Sequence, residues 1–177
     1  MGDYILKAIY LTGFMGAGKT TIGGRLAEKL NVSVLDTDQL IVQKLNSTIK
    51  EIFEQYGETY FRQAENDILT ELPTENVIVT TGGGIVINDE NREIMKKNGH
   101  VILLHANIDI TYERVHTDTN RPIANKLTKA ELNKLYQSRI SFYEDCTIKI
   151  ETSNKNIEEI VDEIIAQLTK IKELGNK

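Results

Sequence analysis

Apolar positions along this chain follow two rhythms. Short continuous runs end in glycine or in polar residues, and they alternate with stretches in which apolar side chains return every three to four positions. The first kind predicts buried strands at 7–12, 32–35, 77–80, 101–105 and 147–150. The second predicts helices. One opens at Gly18, with Ile22, Leu26 and Leu30 on a common face, and another covers 39–45. Thr48 and Glu51 have capping-box spacing and open a helical region that breaks at Gly57 and resumes over 60–72. Further helices are predicted at 88–97 and 109–115. Thr128 and Glu131 form a second capping box, opening a helix to about residue 145. Ile157, Ile160, Val161, Ile164, Ile165 and Leu168 make the face of a closing helix. Residues 116–127 have no apolar period and are expected to be a mobile loop.

Strands that alternate with helices imply an α/β fold with a parallel sheet covered on both faces. Ligands of such sheets bind beyond the carboxyl ends of the strands, and the polar clusters of this chain fall there. No internal repeat or domain-scale linker interrupts the 177 residues, so one domain is expected.

Composition narrows the setting. The hydrophobic fraction of 40% is that of a globular protein, and the net charge of −5 argues against a nucleic-acid or membrane-surface binder. No apolar run is long enough to span a bilayer, and the first residues lack a cationic and apolar leader pattern, so a cytoplasmic enzyme is expected. Cys146 is the single cysteine and reads as a small core hydrophobe opening the fifth strand. His100, His105 and His116 have no metal-ligand spacing.

The most specific chemical signal is Gly13-Phe14-Met15-Gly16-Ala17-Gly18-Lys19-Thr20, which fits the phosphate-binding P-loop pattern between a strand and a helix. Glycines let the backbone turn its N–H groups toward phosphate oxygens, and the helix N-terminus adds partial positive charge. Lys19 is expected on the β and γ phosphates and the Thr20 hydroxyl on Mg²⁺. Asp36 and Asp38 follow the second strand, where carboxylates can support a cation or take a hydroxyl proton; Asp38 also suits a helix N-cap. Arg62 and Glu65 share a helix face, either as a held guanidinium in a site or as a surface ion pair. Gly82, Gly83 and Gly84 after the third strand allow close approach of a ligand, or simply make a turn. Arg121 lies in the aperiodic loop and Arg139 among apolar and aromatic neighbours. The first could close over a γ-phosphoryl group and the second could fork onto a carboxylate; the plainer readings are a solvated charge and a snorkelling side chain.

In order and spacing, GFMGAGKTTIG, LDTD, IFEQYGETYFRQAE, VTTGGG, the dipeptide RP and SRISFY resemble the shikimate kinase family over nearly the whole chain. The resemblance implies a P-loop kinase fold like that of nucleoside-monophosphate kinases, with a five-stranded parallel sheet, a substrate-binding helical region at about 38–72 and a lid at about 116–127. It implies transfer of the ATP γ-phosphoryl group to the 3-hydroxyl of shikimate, in aromatic amino-acid biosynthesis, by a monomer using Mg²⁺. By the same resemblance Gly16, Ala17, Gly18, Lys19, Thr20 and Thr21 wrap the phosphates, and Asp36 supports the metal held by Thr20. Asp38 holds shikimate hydroxyls as the candidate base. Arg62, Arg139, Gly83 and Gly84 hold the acceptor, Glu65 orients arginine, and Phe53 and Phe61 line the pocket. Arg121 is the lid arginine, Arg114 stacks on adenine, and Ser153 or Asn154 falls in the adenine loop. Two departures are visible: Ile123 stands where leucine is usual, and the stretch from Arg121 to Arg139 is slightly short. The competing readings are a kinase for another small acid such as gluconate or for a nucleotide, and an ATP-binding module without catalysis. No Asn-Lys-x-Asp motif supports a regulatory GTPase.

Overall fold

The central strands of the chain are apolar up to a closing threonine, and they lie where both sides of a sheet are covered. In the computed structural model, which describes residues 6–117 and 127–175, β1 (Ala8–Thr12) and β3 (Val77–Thr80) are buried throughout. They are joined by β2 (Ser33–Asp36), β4 (Gly99–His105) and β5 (Ile148–Glu151) in one sheet of order β2-β3-β1-β4-β5, parallel at each pairing. At the edge, β5 alternates buried and exposed residues, as expected of a strand with one free side.

Period-two alternation sends neighbouring side chains of β1 to opposite faces. Ile9 and Leu11 meet Ile22 and Leu26 of α1 (Lys19–Leu30) and Ile160, Val161 and Ile164 of α8 (Ile157–Gly175). Ala8 and Tyr10 belong to the other core. It includes Ile52, Phe61 and Leu69 of α3 (Ile49–Glu71), and Met95 of α4 (Asp89–Asn98). Leu132 of α6 (Lys129–Gln137) and Tyr143 of α7 (Ile140–Tyr143) complete it. The remaining helices are α2 (Thr37–Leu45) and α5 (Ile108–Thr117).

Local chemistry explains where the elements begin and end. Both predicted capping boxes form, at Thr48 with Glu51 and at Thr128 with Glu131. Gly57, where a break is expected, is a kink inside α3 at φ 80°, ψ 175°. The stretch after Thr128 is not one helix to residue 145. It stops at Gln137, where the Ser138 hydroxyl donates to Leu135 O at 2.7 Å, and Arg139 at φ −119° separates α6 from α7. β5 begins at Ile148, so Cys146 precedes it; its half-buried thiol packs against the core, and burial raises its pKa. Residues 116 and 117, inside the bounds expected of the lid, continue α5. The remainder of that segment, including Arg121, lies outside the described residues apart from Leu127.

Candidate active site

β1 ends in a loop that Gly18 turns into α1. Gly18 has φ 89°, a left-handed conformation that an L side chain enters only at a cost, and it caps the helix with backbone alone. Lys19, the first residue of α1, is buried and bends back over the loop. Its Nζ donates to Gly13 O at 2.7 Å and Phe14 O at 3.0 Å. The ammonium is thus held over the hollow of the loop.

Asp36 ends β2 and caps α2. Its Oδ1 accepts from the backbone N–H groups of Asp38 and Gln39 at 3.1 and 3.2 Å, and its Oδ2 accepts from Thr80 Oγ1 at 2.6 Å. The N-cap is therefore Asp36. Asp38, which the sequence also allowed as the cap, lies inside the first turn, and its carboxylate is released from that task. A cavity of about 340 Å³ has Lys19, Thr20, Asp36, Asp38, Gly82 and Gly83 in its wall. The residues after β1, β2 and β3 that the sequence singles out are thus gathered at one end of the sheet.

The glycine turn after β3 is enclosed by charge. A carbon added at Gly82 would stand 2.5 Å from Asp38 Oδ1 and 3.2 Å from Glu65 Oε1, and one added at Gly84 would stand 2.4 Å from Arg62 Nη1. Bare backbone is what lets these groups approach. Arg62 Nη1 donates to Glu65 Oε2 at 2.7 Å, and Nη2 donates to Glu58 Oε1 at 2.9 Å. Glu65 is fully buried. Burial pushes its carboxyl up to about 7; the Arg62 guanidinium opposes the shift, Asp38 adds to it, and Arg139 opposes it at longer range. The rings of Phe53 and Phe61 lie tilted with centres 4.7 Å apart, and the Arg62 guanidinium carbon lies 5.6 Å from the Phe61 ring centre.

Arg139, at the break between α6 and α7, lies beside the Tyr143 hydroxyl. Burial pushes that phenol up to about 12, with Arg139 pulling the other way. The Tyr143 hydroxyl donates to Gly83 O. Phe14 of the loop after β1 meets Tyr136 and Tyr143 edge-on, at 5.4 and 6.4 Å between ring centres. Tyr143 is a link that sequence reading missed, although it sits within the SRISFY segment.

On the far side of the loop, Arg114 of α5 donates to Gly16 O at 3.2 Å. It borders the main cavity and a second one of about 230 Å³, whose wall includes Thr21, Thr152, Lys155 and Ile157. Ser153 is occupied in its own turn: its Oγ accepts from Asn107 N at 2.8 Å and donates to Glu151. Neither Ser153 nor Asn154 is in the wall of that cavity, whereas their neighbours Thr152 and Lys155 are. Spacing could find this turn but not which of its side chains faces inward. Among the described residues no group of three or more His, Cys, Asp or Glu side chains could hold a metal ion, and no helix is long and apolar enough to cross a membrane.

The signature of the family described as shikimate kinase matches residues 15–169. A shikimate kinase of Bacillus cytotoxicus is 45% identical over 163 residues, covering 92% of this chain and 99% of that protein. One of Enterococcus faecalis is 43% identical over 166 residues, with 92% and 99% covered. Among solved structures, the shikimate kinase from Acinetobacter baumannii in complex with shikimate superposes with a TM-score of 0.87 at 35% identity, covering 94% of this chain and 95% of that one.

Proposed function

The chain belongs to the shikimate kinase family, and from that premise we propose how its cleft carries out the reaction. The reaction is ATP-dependent transfer of the γ-phosphoryl group to the 3-hydroxyl of shikimate, giving shikimate 3-phosphate and ADP, a step toward aromatic amino acids. The observation that carries the residue assignment is that Lys19 and Thr20 share one cavity wall with Asp38, Gly82 and Gly83. That shared wall supports a donor and an acceptor meeting in one cleft, as in-line transfer requires.

The backbone N–H groups from Gly16 to Thr21 cradle the triphosphate. Lys19 exchanges its carbonyl partners for β- and γ-phosphate oxygens, where it offsets the charge that develops on the transferring group. Arg114 borders both cavities, a position suited to the nucleoside, with Ser153 or Asn154 assigned to the turn beside it. Arg121 takes the lid arginine's part, facing the γ-phosphoryl group.

The acceptor's carboxylate lies between Arg62, Arg139 and the N–H groups of Gly83 and Gly84, since guanidinium forks and free amides suit planar oxygens. Glu65 aims the Arg62 guanidinium. Asp38 accepts the proton of the reacting hydroxyl as its oxygen bonds to phosphorus and the bond to the β–γ bridging oxygen breaks. The chemistry of the donors fits Mg²⁺: the Thr20 hydroxyl and, through water, the Asp36 carboxylate would hold the ion as hard oxygen donors. When bound, the ion would neutralise phosphate charge and fix its geometry.

A nucleotide acceptor offers no carboxylate to Arg62, Arg139 and the glycine turn; gluconate does, and against it stands the match to the shikimate kinase family over residues 15–169. A coupled assay of ADP release with shikimate, gluconate and nucleoside monophosphates tests the reading. Release with shikimate alone is expected; release with gluconate and none with shikimate would overturn it.

A further inference from the structure

The turn Gly82–Gly84 runs directly into a short 3₁₀ turn, Ile85–Ile87, whose carbonyl groups are gripped by two consecutive residues of α4. Asn91 is fully buried. Its Nδ2 donates to Ile85 O at 3.0 Å, and its Oδ1 accepts from Asn66 Nδ2 at 3.0 Å. Asn66 is also buried and lies on α3, one helical turn beyond Arg62 and next to Glu65. The adjacent residue, Arg92, reaches the other way. Its Nη1 donates to Val86 O at 2.6 Å, and its Nε donates to Asp145 Oδ2 at 3.1 Å, just past α7. The guanidinium carbon lies 5.1 Å from the ring centre of Phe142 on α7 itself.

We propose that Asn91 and Arg92 of α4, with Asn66, form a positioning bracket that fixes the acceptor's carboxylate site. Asn91 and Asn66 tie the glycine turn to the helix carrying Arg62, and Arg92 ties it to the segment carrying Arg139. Neither α4 residue is among the groups assigned to substrate. The site's two arginines come from elements far apart in sequence, and the N–H donors of Gly83 and Gly84 come from a third. A carboxylate held by all of them needs their separations fixed. Buried amide pairs and a planar guanidinium fork do this better than apolar contact, because their hydrogen bonds fail when partners slide. The bracket leaves the P-loop alone, so its loss should fall on the acceptor and spare ATP.

The inference rests on the proposed acceptor site, and the experiment separates the two. Steady-state KM values for shikimate and ATP are measured for the full-length wild type, Arg62→Lys, Asn91→Asp and Arg92→Lys, with folding followed by circular dichroism. Asn91→Asp keeps the acceptor for Asn66 and loses the donor to Ile85 O. Arg92→Lys keeps a positive charge for Asp145 and loses the fork. A rise of about tenfold or more in the KM for shikimate, with the KM for ATP within about twofold, is expected of both variants. Equal changes in both constants, or no change in a folded variant, would overturn the bracket. If Asn91→Asp does not fold, Arg92→Lys decides alone, because the Arg92 side chain, 14% exposed, is not fully buried and the variant keeps its charge. If Arg62→Lys shows the selective rise while both bracket variants match the wild type, the inference falls and the acceptor site stands. If Arg62→Lys matches the wild type, the acceptor site falls, and the bracket falls with it.

Discussion

Arg62 and Glu65 stand one turn apart on α3 and form an ion pair whose acid is fully buried while its base reaches the glycine turn. The pairing lowers the cost of burying Glu65 without cancelling it, so the carboxyl titrates near 7 instead of its usual 4.5. Between those values the folded protein holds a proton that the unfolded chain has released. Stability from this group is therefore complete below about pH 4.5 and is lost as pH rises through 7. At about 1.4 kcal/mol per unit, the loss is at most about 3.5 kcal/mol. Urea unfolding at several values from pH 5 to 8 should show this falling contribution in the wild type and its absence in Glu65→Gln, read as the difference between the two proteins. Parallel pH profiles would count against it.

Gly84→Ala should act through space alone. Its φ of −106° is open to any residue, but the added carbon would meet the Arg62 guanidinium at 2.4 Å. The displaced arginine should raise the KM for shikimate by about tenfold or more and leave the KM for ATP little changed, since misplacement of about 1 Å can cost a hundredfold. Initial-rate kinetics with each substrate varied in turn measures both.

Gly57→Ala presents the reverse case. Nothing lies within 4 Å of an added carbon, yet φ 80° and ψ 175° belong to a region that essentially only glycine occupies. A loss of about 1–3 kcal/mol in unfolding free energy is expected, measurable in urea. An unchanged midpoint would mean that α3 can straighten.

Lys19→Met keeps the length of the side chain and removes the ammonium that Gly13 O and Phe14 O hold over the loop. A fall in kcat of at least about a hundredfold is expected, with shikimate binding retained by equilibrium titration. A rate near that of the wild type would remove Lys19 from the transferring group.

Periodicity and capping chemistry located every strand of the sheet to within a residue or two, because buried parallel strands leave continuous apolar runs and capping boxes have fixed spacing. Single-residue geometry was less accessible. The division of α6 from α7 depends on a serine bonding back to its own helix, which no period records. The exchange of roles between Asp36 and Asp38 depends on where β2 ends, and strand ends move by a residue without altering the pattern. Thr152 and Lys155, which border the cavity after β5, are told from Ser153 and Asn154 by orientation, which spacing does not record. Asn66, Asn91 and Arg92 carry no motif that spacing singled out; they stand out only once three distant stretches of chain are seen to meet at one carbonyl-rich turn.

The adjacency of β1 and β3 has a consequence for how this architecture could be repurposed. Leu11 pairs with Thr80, and the Thr81 N–H and hydroxyl both donate to Leu11 O, at 3.3 and 3.0 Å. The loop that would hold the donor and the turn that would hold the acceptor thus leave neighbouring strands at the same level, separated by the inter-strand spacing of about 4.8 Å. On the proposed assignment, the reach between donor and acceptor would be a property of the ladder, while the acceptor would be chosen by Arg62 on α3 and Arg139 at the start of α7. Grafting those helices from a relative with another acceptor should alter what is phosphorylated while leaving the span across which the phosphoryl group moves unchanged.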